Sequence, residues 1–409
     1  MTIQKLALRT AEEMLAAGLS RSSVWATHDS ALLPIVKAHE ENGKEEFDRE
    51  TMTDYVKNIE RRIESGEIKA VRYRTLLRAA QRITEMHDHG KLLWTAPALA
   101  SKFKLNNYFQ TVLDKFLFEG KFSPKGSSDA MWVVRKYFAW LITENHEDLN
   151  GVGAAEIQKF MIYCSNRMKG SGVHNVKLYM KKLFRFLADN GYSQDAFEKL
   201  LNFKVFRESK LFPAASPDEL DAILNVIDRH LPRGKRDYAI ILLGVVTGLR
   251  AVDIKNLKLT DIDWQKGDIN IVQAKTGVPL SLPLTTDVGE AIKDYVLNGR
   301  QETESDSLFL RLHVPYKGFT SSVAIGDLFD DYCKKANLPR HAFDGKGFHS
   351  LRRAVGKNLI TAGVPAEAAA QITGGGNIDS IKKYVALDSR HLKECALDFS
   401  GIGKGVRSL

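Results

Sequence analysis

The chain has 409 residues, a length that suggests two or three domains. Hydrophobic residues make up 44% of it and charged residues 27%, a globular balance that excludes wholesale disorder. Lysine and arginine outnumber aspartate and glutamate by 59 to 50, and the net charge of +9 suits a polyanionic partner. The longest apolar run, residues 238–246, is too short to span a membrane, and the N-terminus has no apolar leader. Three widely spaced cysteines fit neither a disulfide framework nor a thiolate zinc site, so we expect a cytoplasmic protein without a membrane partner.

Apolar residues at steps of three and four predict helices along most of the chain. Two stretches of the N-terminal half share the same order of landmarks. The matched pairs are 102, 102 and 101 residues apart: Gly18 with Gly120, Phe47 with Leu149, and Gly90 with Gly191. We interpret them as two copies of one four-helix unit, although any two small helical bundles resemble each other at this level. The pattern predicts helical domains over residues 1–95 and 105–205, joined by a linker.

A third domain is predicted over residues 213–409. It opens with Ser216-Pro217-Asp218-Glu219, in which serine at the N-cap and glutamate three residues later form a capping box. Three alternating segments then predict the strands of a small antiparallel sheet: residues 262–264, 269–272 and 280–284. Helical pattern resumes from residue 286. The predicted fold class is mainly α with a small three-stranded antiparallel sheet.

Basic side chains lie at the ends of several predicted elements of this third domain. Arg250 follows a helix break, Lys275 lies in the turn before the last strand, and His349 and Arg352 share one face of a helix. This set suits a phosphodiester, because guanidinium groups bind non-bridging oxygens and an ammonium group can protonate a leaving oxygen. Tyr384 adds a phenol that can act as a nucleophile.

Motifs for metals and nucleotide cofactors are missing from the sequence. It has no phosphate-binding loop ending in Lys-Ser/Thr and no His-Glu-x-x-His helix. The glycines at 374–376 follow a helix rather than a strand, unlike those of a dinucleotide loop. The adjacent residues His87-Asp88-His89 indicate a solvated helix end rather than a pair of ligands. We therefore expect no cofactor and no metal.

In these motifs the sequence resembles the tyrosine recombinases, the phage integrase family of site-specific DNA recombinases. The likeness covers residues 216 to about 397, and residues 105–192 look like the family's SAM-like core-binding domain. It implies an integrase-like catalytic domain in a multidomain clamp around duplex DNA. It also implies that Tyr384 attacks the scissile phosphate, that Arg250 and Arg352 hold that phosphate, and that Lys275 protonates the departing oxygen. His349 would be a general base or hydrogen-bonding partner, and Asp253 would orient Arg250.

One position departs from the family pattern, and two regions carry further expectations. A histidine or tryptophan is usual nine residues before the tyrosine, where this chain has Gly375; Asn377 or a main-chain N–H is the candidate substitute. Residues 389–399 read as a tail helix that packs either into a neighbouring protomer or onto its own domain. Basic residues near aromatics on one helix of the second domain are expected to contact DNA phosphates, or else to form a solvated face: Lys177, Lys181, Lys182 and Arg185.

The function that follows is a site-specific recombinase or integrase of a mobile element or phage. It would cut and rejoin DNA through a 3′-phosphotyrosine without metal or ATP. The alternatives are an enzyme like the type IB topoisomerases and a catalytically impaired, DNA-binding accessory recombinase; a metal-dependent nuclease lacks the acidic cluster it needs. The expected partners are double-stranded DNA, further copies of the chain in a tetramer on paired sites, and helper recombination proteins. Residues 1–95 would bind flanking DNA or a partner protomer, and the protein would associate with the nucleoid.

Overall fold

The computed structural model describes residues 1–97, 103–193, 197–206, 211–341, 343–374 and Tyr384. The predictions that concern Gly375, Asn377 and the tail helix therefore lie outside the described residues. The chain forms two compact units, one made of Met1–Ala96 with Leu211–Leu409 and the other of Pro97–Lys210. The division into three domains stays a prediction, although the large hydrophobic cores of the two segments of the first unit are separate from each other.

The N-terminal segment is a helical bundle. Its helices are α1 (Ile3–Ala16), α2 (Arg21–Thr27), α3 (Leu33–Glu41), α4 (Arg49–Glu64) and α5 (Ala70–His89). A π-helical turn, His28–Leu32, joins α2 to α3, so these three pieces form one continuous helix. Helix α5 ends at Gly90, which takes the left-handed conformation with φ of 66° and donates its N–H to Met86.

In the described part of the second unit, four helices are alternately short and long, as are the helices of the N-terminal bundle when α2 to α3 is taken as one helix. They are α6 (Asn107–Glu119), α7 (Pro124–Thr143), α8 (Ala154–Ser165) and α9 (Gly170–Asp189), followed by a 3₁₀ turn, Phe197–Leu201. Ser123 caps α7 through its side chain, as Ser20 caps α2. The core is rich in aromatic rings: Phe109 stacks on Phe138 at 4.7 Å between ring centroids. This shared helix order supports the predicted duplication, which stays a prediction.

The C-terminal segment is mainly helical and carries one small sheet. Its helices are α10 (Pro217–Asn225), α11 (Pro232–Thr247), α12 (Ala251–Asn256), α13 (Thr286–Asn298), α14 (Val323–Lys335), α15 (His349–Thr361) and α16 (Ala366–Ile372). Its strands are β1 (Ile262–Asp263), β2 (Asp268–Val272) and β3 (Pro279–Pro283), antiparallel in that order. Ser216 and Glu219 form the expected capping box. The predicted fold class is confirmed.

Helix α11 is the centre of this segment and packs against α13 and α15. Gly244 makes the crossing with α15 close, because an added Cβ would lie 2.6 Å from the Phe348 ring and 3.0 Å from Leu351. Near the N-terminal end of α11, Asp237 is fully buried. Its carboxylate accepts two hydrogen bonds from the Arg236 guanidinium, at 2.6 and 2.8 Å, and one from the Tyr332 hydroxyl at 3.0 Å. A buried carboxylate needs such partners to offset its desolvation. The close crossing at Gly244 places the C-terminal half of α11 beside the start of α15, the helix that carries His349 and Arg352.

None of the helices described in this structure is long and apolar enough to cross a membrane.

Candidate active site

Arg250 is positioned by the end of one helix and the start of the next. Helix α11 ends at Gly248, whose φ of 64° turns the chain, and Arg250 is the N-cap residue of α12. Its guanidinium donates from Nη1 to Oε1 of Gln273 at 3.0 Å and from Nη2 to the carbonyl of Gly374 at 3.2 Å. The half-buried arginine therefore joins α12, the β2–β3 turn and the segment after α16.

Asp253 lies one helical turn after Arg250 and is 4% exposed. Its Oδ1 accepts the N–H of Ala274 at 2.9 Å, and its Oδ2 lies 3.8 Å from Nη1 of Arg250. Oδ2 has no hydrogen-bond partner among the described residues. The carboxylate thus connects the arginine to the β2–β3 turn, a geometry that fits the orienting role predicted for it.

Arg352 lies on α15 and is 4% exposed. It donates from Nη1 to the carbonyl of Gly248 at 3.0 Å and from Nη2 to the carbonyl of Thr373. Burial lowers the pKa of Arg352, the nearby Tyr384 phenol raises it, and the charge of Arg250 lowers it further. The two arginines are thus close enough to interact electrostatically, and both are hydrogen-bonded to the carbonyls that follow α16.

Tyr384 is buried, with 5% of its surface exposed, in a small cluster with Ala369 and Ala370 of α16. Its ring lies directly against α15, because a Cβ added at Gly356 would approach the ring atoms to 2.5–2.7 Å. The phenol is near enough to Arg352 to raise the pKa of that guanidinium. The candidate nucleophile therefore lies beside one of the two candidate phosphate-binding arginines.

Lys275 and His349 lie at the edge of this arrangement. Lys275 is exposed in the β2–β3 turn, two residues beyond Gln273. His349 is the first residue of α15 and is exposed, one helical turn before Arg352. His349 and Arg352 lie on one helix, as their spacing predicts.

The basic residues predicted to contact DNA on α9 all have partners within their own unit. Lys177 donates to the carbonyl of Phe203 at 2.6 Å, Lys181 to Asn202 at 2.6 Å, and Arg185 to Glu198 at 2.8 Å. The Lys182 ammonium lies 5.1 Å from the centroid of the Phe122 ring. Phosphate contacts through these side chains would have to replace such partners, and the DNA-contacting role stays a prediction.

Two buried residues of the site were missed in the sequence. Gln273 is fully buried beside Arg250, and the sole sequence signal is its place two residues before Lys275. Arg353 donates from Nε to the carbonyl of Pro213 at 2.8 Å, and burial lowers its pKa. Within the described parts of the chain, no three histidine, cysteine, aspartate or glutamate side chains are grouped so that they could hold a metal ion.

Comparison with known proteins assigns the family. The model of the phage integrase family matches residues 215–391. The chain is 35% identical over 187 residues to y4gC of Sinorhizobium fredii, named as an integrase/recombinase, and the match covers 45% of the chain and 94% of y4gC. The chain belongs to the phage integrase family of tyrosine recombinases. The predicted family and enzyme class are confirmed.

Other relatives of this tyrosine recombinase extend the likeness toward the N-terminus. It is 28% identical over 278 residues to y4rA of Sinorhizobium fredii, a match that covers 66% of the chain and 65% of the length of y4rA. Among solved structures, the XerH site-specific recombinase bound to a palindromic difH substrate has a TM-score of 0.56 at 18% identity, covering 69% of this chain and 82% of XerH. A lambda integrase tetramer bound to a Holliday junction has a TM-score of 0.51 at 18% identity, covering 66% and 77%. At such identities these structures support the fold alone.

Proposed function

We propose that this tyrosine recombinase is a site-specific recombinase or integrase of a mobile element or phage that cuts and rejoins DNA through a 3′-phosphotyrosine. One observation carries the proposal: Arg250 and Arg352 bind consecutive carbonyls, those of Gly374 and Thr373, and the Tyr384 ring lies against α15, the helix that carries Arg352. Two guanidinium groups and a phenol are the chemistry needed to bind a phosphodiester and attack its phosphorus.

The phosphate would replace main-chain acceptors that the protein itself supplies. Arg250 and Arg352 each donate to a carbonyl oxygen, of Gly374 and Thr373 respectively. A non-bridging phosphate oxygen carries negative charge and accepts a charge-assisted hydrogen bond, which is stronger than a bond to a neutral carbonyl. DNA can therefore displace the two carbonyls without leaving either guanidinium without an acceptor.

The proposed chemical step exchanges one phosphoester for another. The phenol oxygen of Tyr384 attacks phosphorus and gives its proton to a base, for which His349 is the candidate. The bond from phosphorus to the 5′-oxygen breaks, and the Lys275 ammonium protonates that oxygen. The products are a 3′-phosphotyrosine and a free 5′-hydroxyl. A 5′-hydroxyl of a second strand reverses the reaction, and ATP is not required because the new ester retains the bond energy.

The proposed partners follow from charge and from the complexes formed by similar proteins. The net charge of +9 suits duplex DNA, and the solved neighbours include a complex with DNA and a tetramer on a Holliday junction. We propose the same partners here: DNA held by residues 105–205 and 213–409 in a clamp, and a tetramer of the chain on paired sites. Flanking-DNA or protomer contacts by residues 1–95, helper recombination proteins and nucleoid association belong to the same proposal.

A covalent adduct tests the proposal. The chain is incubated with a nicked duplex that carries the site from its own element, and the products are separated on a denaturing gel. We expect a protein–DNA adduct with the wild type and none with Tyr384→Phe, while the control Tyr316→Phe keeps it. An adduct that persists in Tyr384→Phe, or its absence from the wild type on the correct site, would overturn the proposal.

A further inference from the structure

Gln273 is a fully buried amide with one satisfied end and one unsatisfied end. Its Oε1 accepts hydrogen bonds from Nη1 of Arg250 at 3.0 Å and from the hydroxyl of Thr276 at 2.9 Å. Its Nε2 is buried and has no hydrogen-bond partner among the described residues. A buried donor without a partner costs about 1–3 kcal/mol, so a native structure that keeps one calls for a physical reason.

The surroundings of Gln273 fix the direction in which the amide nitrogen points. Two donors converge on Oε1, which assigns the oxygen to the side of Arg250 and Thr276. Gly374 lies against the carboxamide, and a Cβ added there would overlap Nε2. The φ of Gly374 is +60°, a conformation that glycine adopts readily. The main chain at Gly374 therefore covers the amide nitrogen and also supplies the carbonyl that Arg250 binds.

The same carbonyl is the one that DNA would displace from Arg250. When a phosphate oxygen takes its place, the incoming group enters the immediate surroundings of Nε2. The amide nitrogen of Gln273 then has an acceptor for one of its two N–H groups and is no longer without a partner. The donor is neutral, so it adds a hydrogen bond to a site with two guanidinium groups without adding to their mutual repulsion.

We propose that Gln273 is a phosphate-binding residue of the active site, whose Nε2–H donates to a non-bridging oxygen of the scissile phosphodiester. The inference rests on the proposed function and deepens it. It also accounts for Gly375, which has no side chain to donate from: the donor comes from the β2–β3 turn instead. Charge accumulates on the non-bridging oxygens as phosphorus becomes pentacovalent, so this bond is stronger in the transition state than in the bound substrate.

Two substitutions separate the donor from the acceptor of Gln273. Gln273→Glu keeps an oxygen for Arg250 and Thr276 and removes the N–H donor, whereas Gln273→Leu removes both. Gln265→Glu and Gln265→Leu are the matched controls, because Gln265 is an exposed glutamine in the β1–β2 turn of the same segment. Single-turnover cleavage is measured on nicked duplexes whose scissile group is either the natural phosphate or a methylphosphonate, in which methyl replaces one non-bridging oxygen. Each of the two methylphosphonate diastereomers is tested separately. Binding of the same duplexes is measured by gel mobility shift.

On the natural phosphate we expect both Gln273 variants to cleave on the order of 100-fold more slowly than the wild type, as for the loss of one donor to a developing oxyanion. DNA binding should change by less than about threefold, and both Gln265 variants should match the wild type. On the methylphosphonate diastereomer that lacks the contacted oxygen, the difference between wild type and Gln273→Glu should disappear, because this variant keeps the oxygen that holds Arg250.

An equal loss on the phosphate and on both diastereomers would mean that Gln273 acts solely by holding Arg250, and would overturn the inference. Cleavage by the Gln273 variants at the wild-type rate would overturn it as well. Each of these results leaves the wild-type adduct in place, so the proposed function would survive. No adduct with the wild type on the natural phosphate would overturn both.

Discussion

The carboxylate of Asp253 is the most direct means of disturbing Arg250 without removing the arginine. In the wild type, Oδ1 of Asp253 accepts the N–H of Ala274 at 2.9 Å. In Asp253→Asn the amide oxygen can still accept this hydrogen bond. The amide NH₂ then faces the Arg250 guanidinium in place of Oδ2, which lies 3.8 Å from Nη1. The substitution therefore replaces an ion pair by two donors that face each other, and it preserves the hydrogen bond to the turn.

The size of the effect follows from the distance. Two unit charges 3.8 Å apart interact by about 4 kcal/mol at an effective dielectric constant of about 20, before the cost of desolvating the carboxylate is subtracted. If about half of that remains as a net effect, Arg250 loses about 2 kcal/mol of its preference for the observed position. Cleavage should then slow by about 30-fold, since 1.4 kcal/mol corresponds to a factor of ten.

Cleavage of a nicked duplex under single-turnover conditions is the assay, together with unfolding in urea. We expect Asp253→Asn to cleave about 30-fold more slowly than the wild type, while its urea midpoint of unfolding stays close to that of the wild type. Asp253→Ala should lose cleavage and also about 1–3 kcal/mol of unfolding free energy, because it leaves the Ala274 N–H without an acceptor. Asp253→Asn with the wild-type cleavage rate would show that the carboxylate charge does not position Arg250, and the reasoning would be wrong.

Three further predictions concern stability. Asp237→Asn should destabilise the chain by about 3–5 kcal/mol in urea unfolding, because it leaves the charge of Arg236 buried without its partner; a loss under 1 kcal/mol would contradict this. Burial alone would raise the pKa of Glu85, but hydrogen bonds from residues 81, 94 and 95 outweigh it and lower the pKa below the usual 4.5. The ionised Glu85 carboxylate therefore stabilises the fold above pH 4.5, and this stabilisation is lost as the pH falls through the lowered pKa. The difference in unfolding free energy between wild type and Glu85→Gln should decrease on acidification from pH 7. A difference that does not change with pH would refute the prediction. Gly356→Ala should cost about 1 kcal/mol, because about 2 kcal/mol of crowding against Tyr384 outweighs about 0.5–1 kcal/mol gained in helix propensity. In the Tyr384→Ala background the same substitution should be stabilising, and the same sign in both backgrounds would exclude the contact.

The elements of the C-terminal segment could be predicted from local patterns. The alternation around residues 265–268 indicated β1 and β2, and Ser216 with Glu219 indicated the start of α10. These signals are local because strand alternation and capping depend on a few neighbouring residues. The alternation predicted a three-residue strand over residues 262–264, whereas β1 pairs over two residues.

The candidate site was predictable in its charged residues and not in its buried amide. Arg250, Arg352 and Tyr384 are far apart in sequence, and they were grouped through chemistry and family resemblance. Gln273 has no such signal, because its role depends on a close approach by Gly374, about 100 residues away, that no local pattern encodes. The partners of Lys177, Lys181 and Arg185 were missed for the same reason: they belong to residues 198–203, beyond the end of α9.

The bare position at Gly356 has a practical consequence. The Tyr384 ring rests on α15 at a position without a side chain, because Gly356 leaves there the space that a Cβ would fill. The methyl group of Gly356→Ala would occupy that space and displace the Tyr384 ring without changing either arginine or the phenol hydroxyl. The variant therefore offers a way to enrich, before any DNA is added, a conformer in which the ring has left α15.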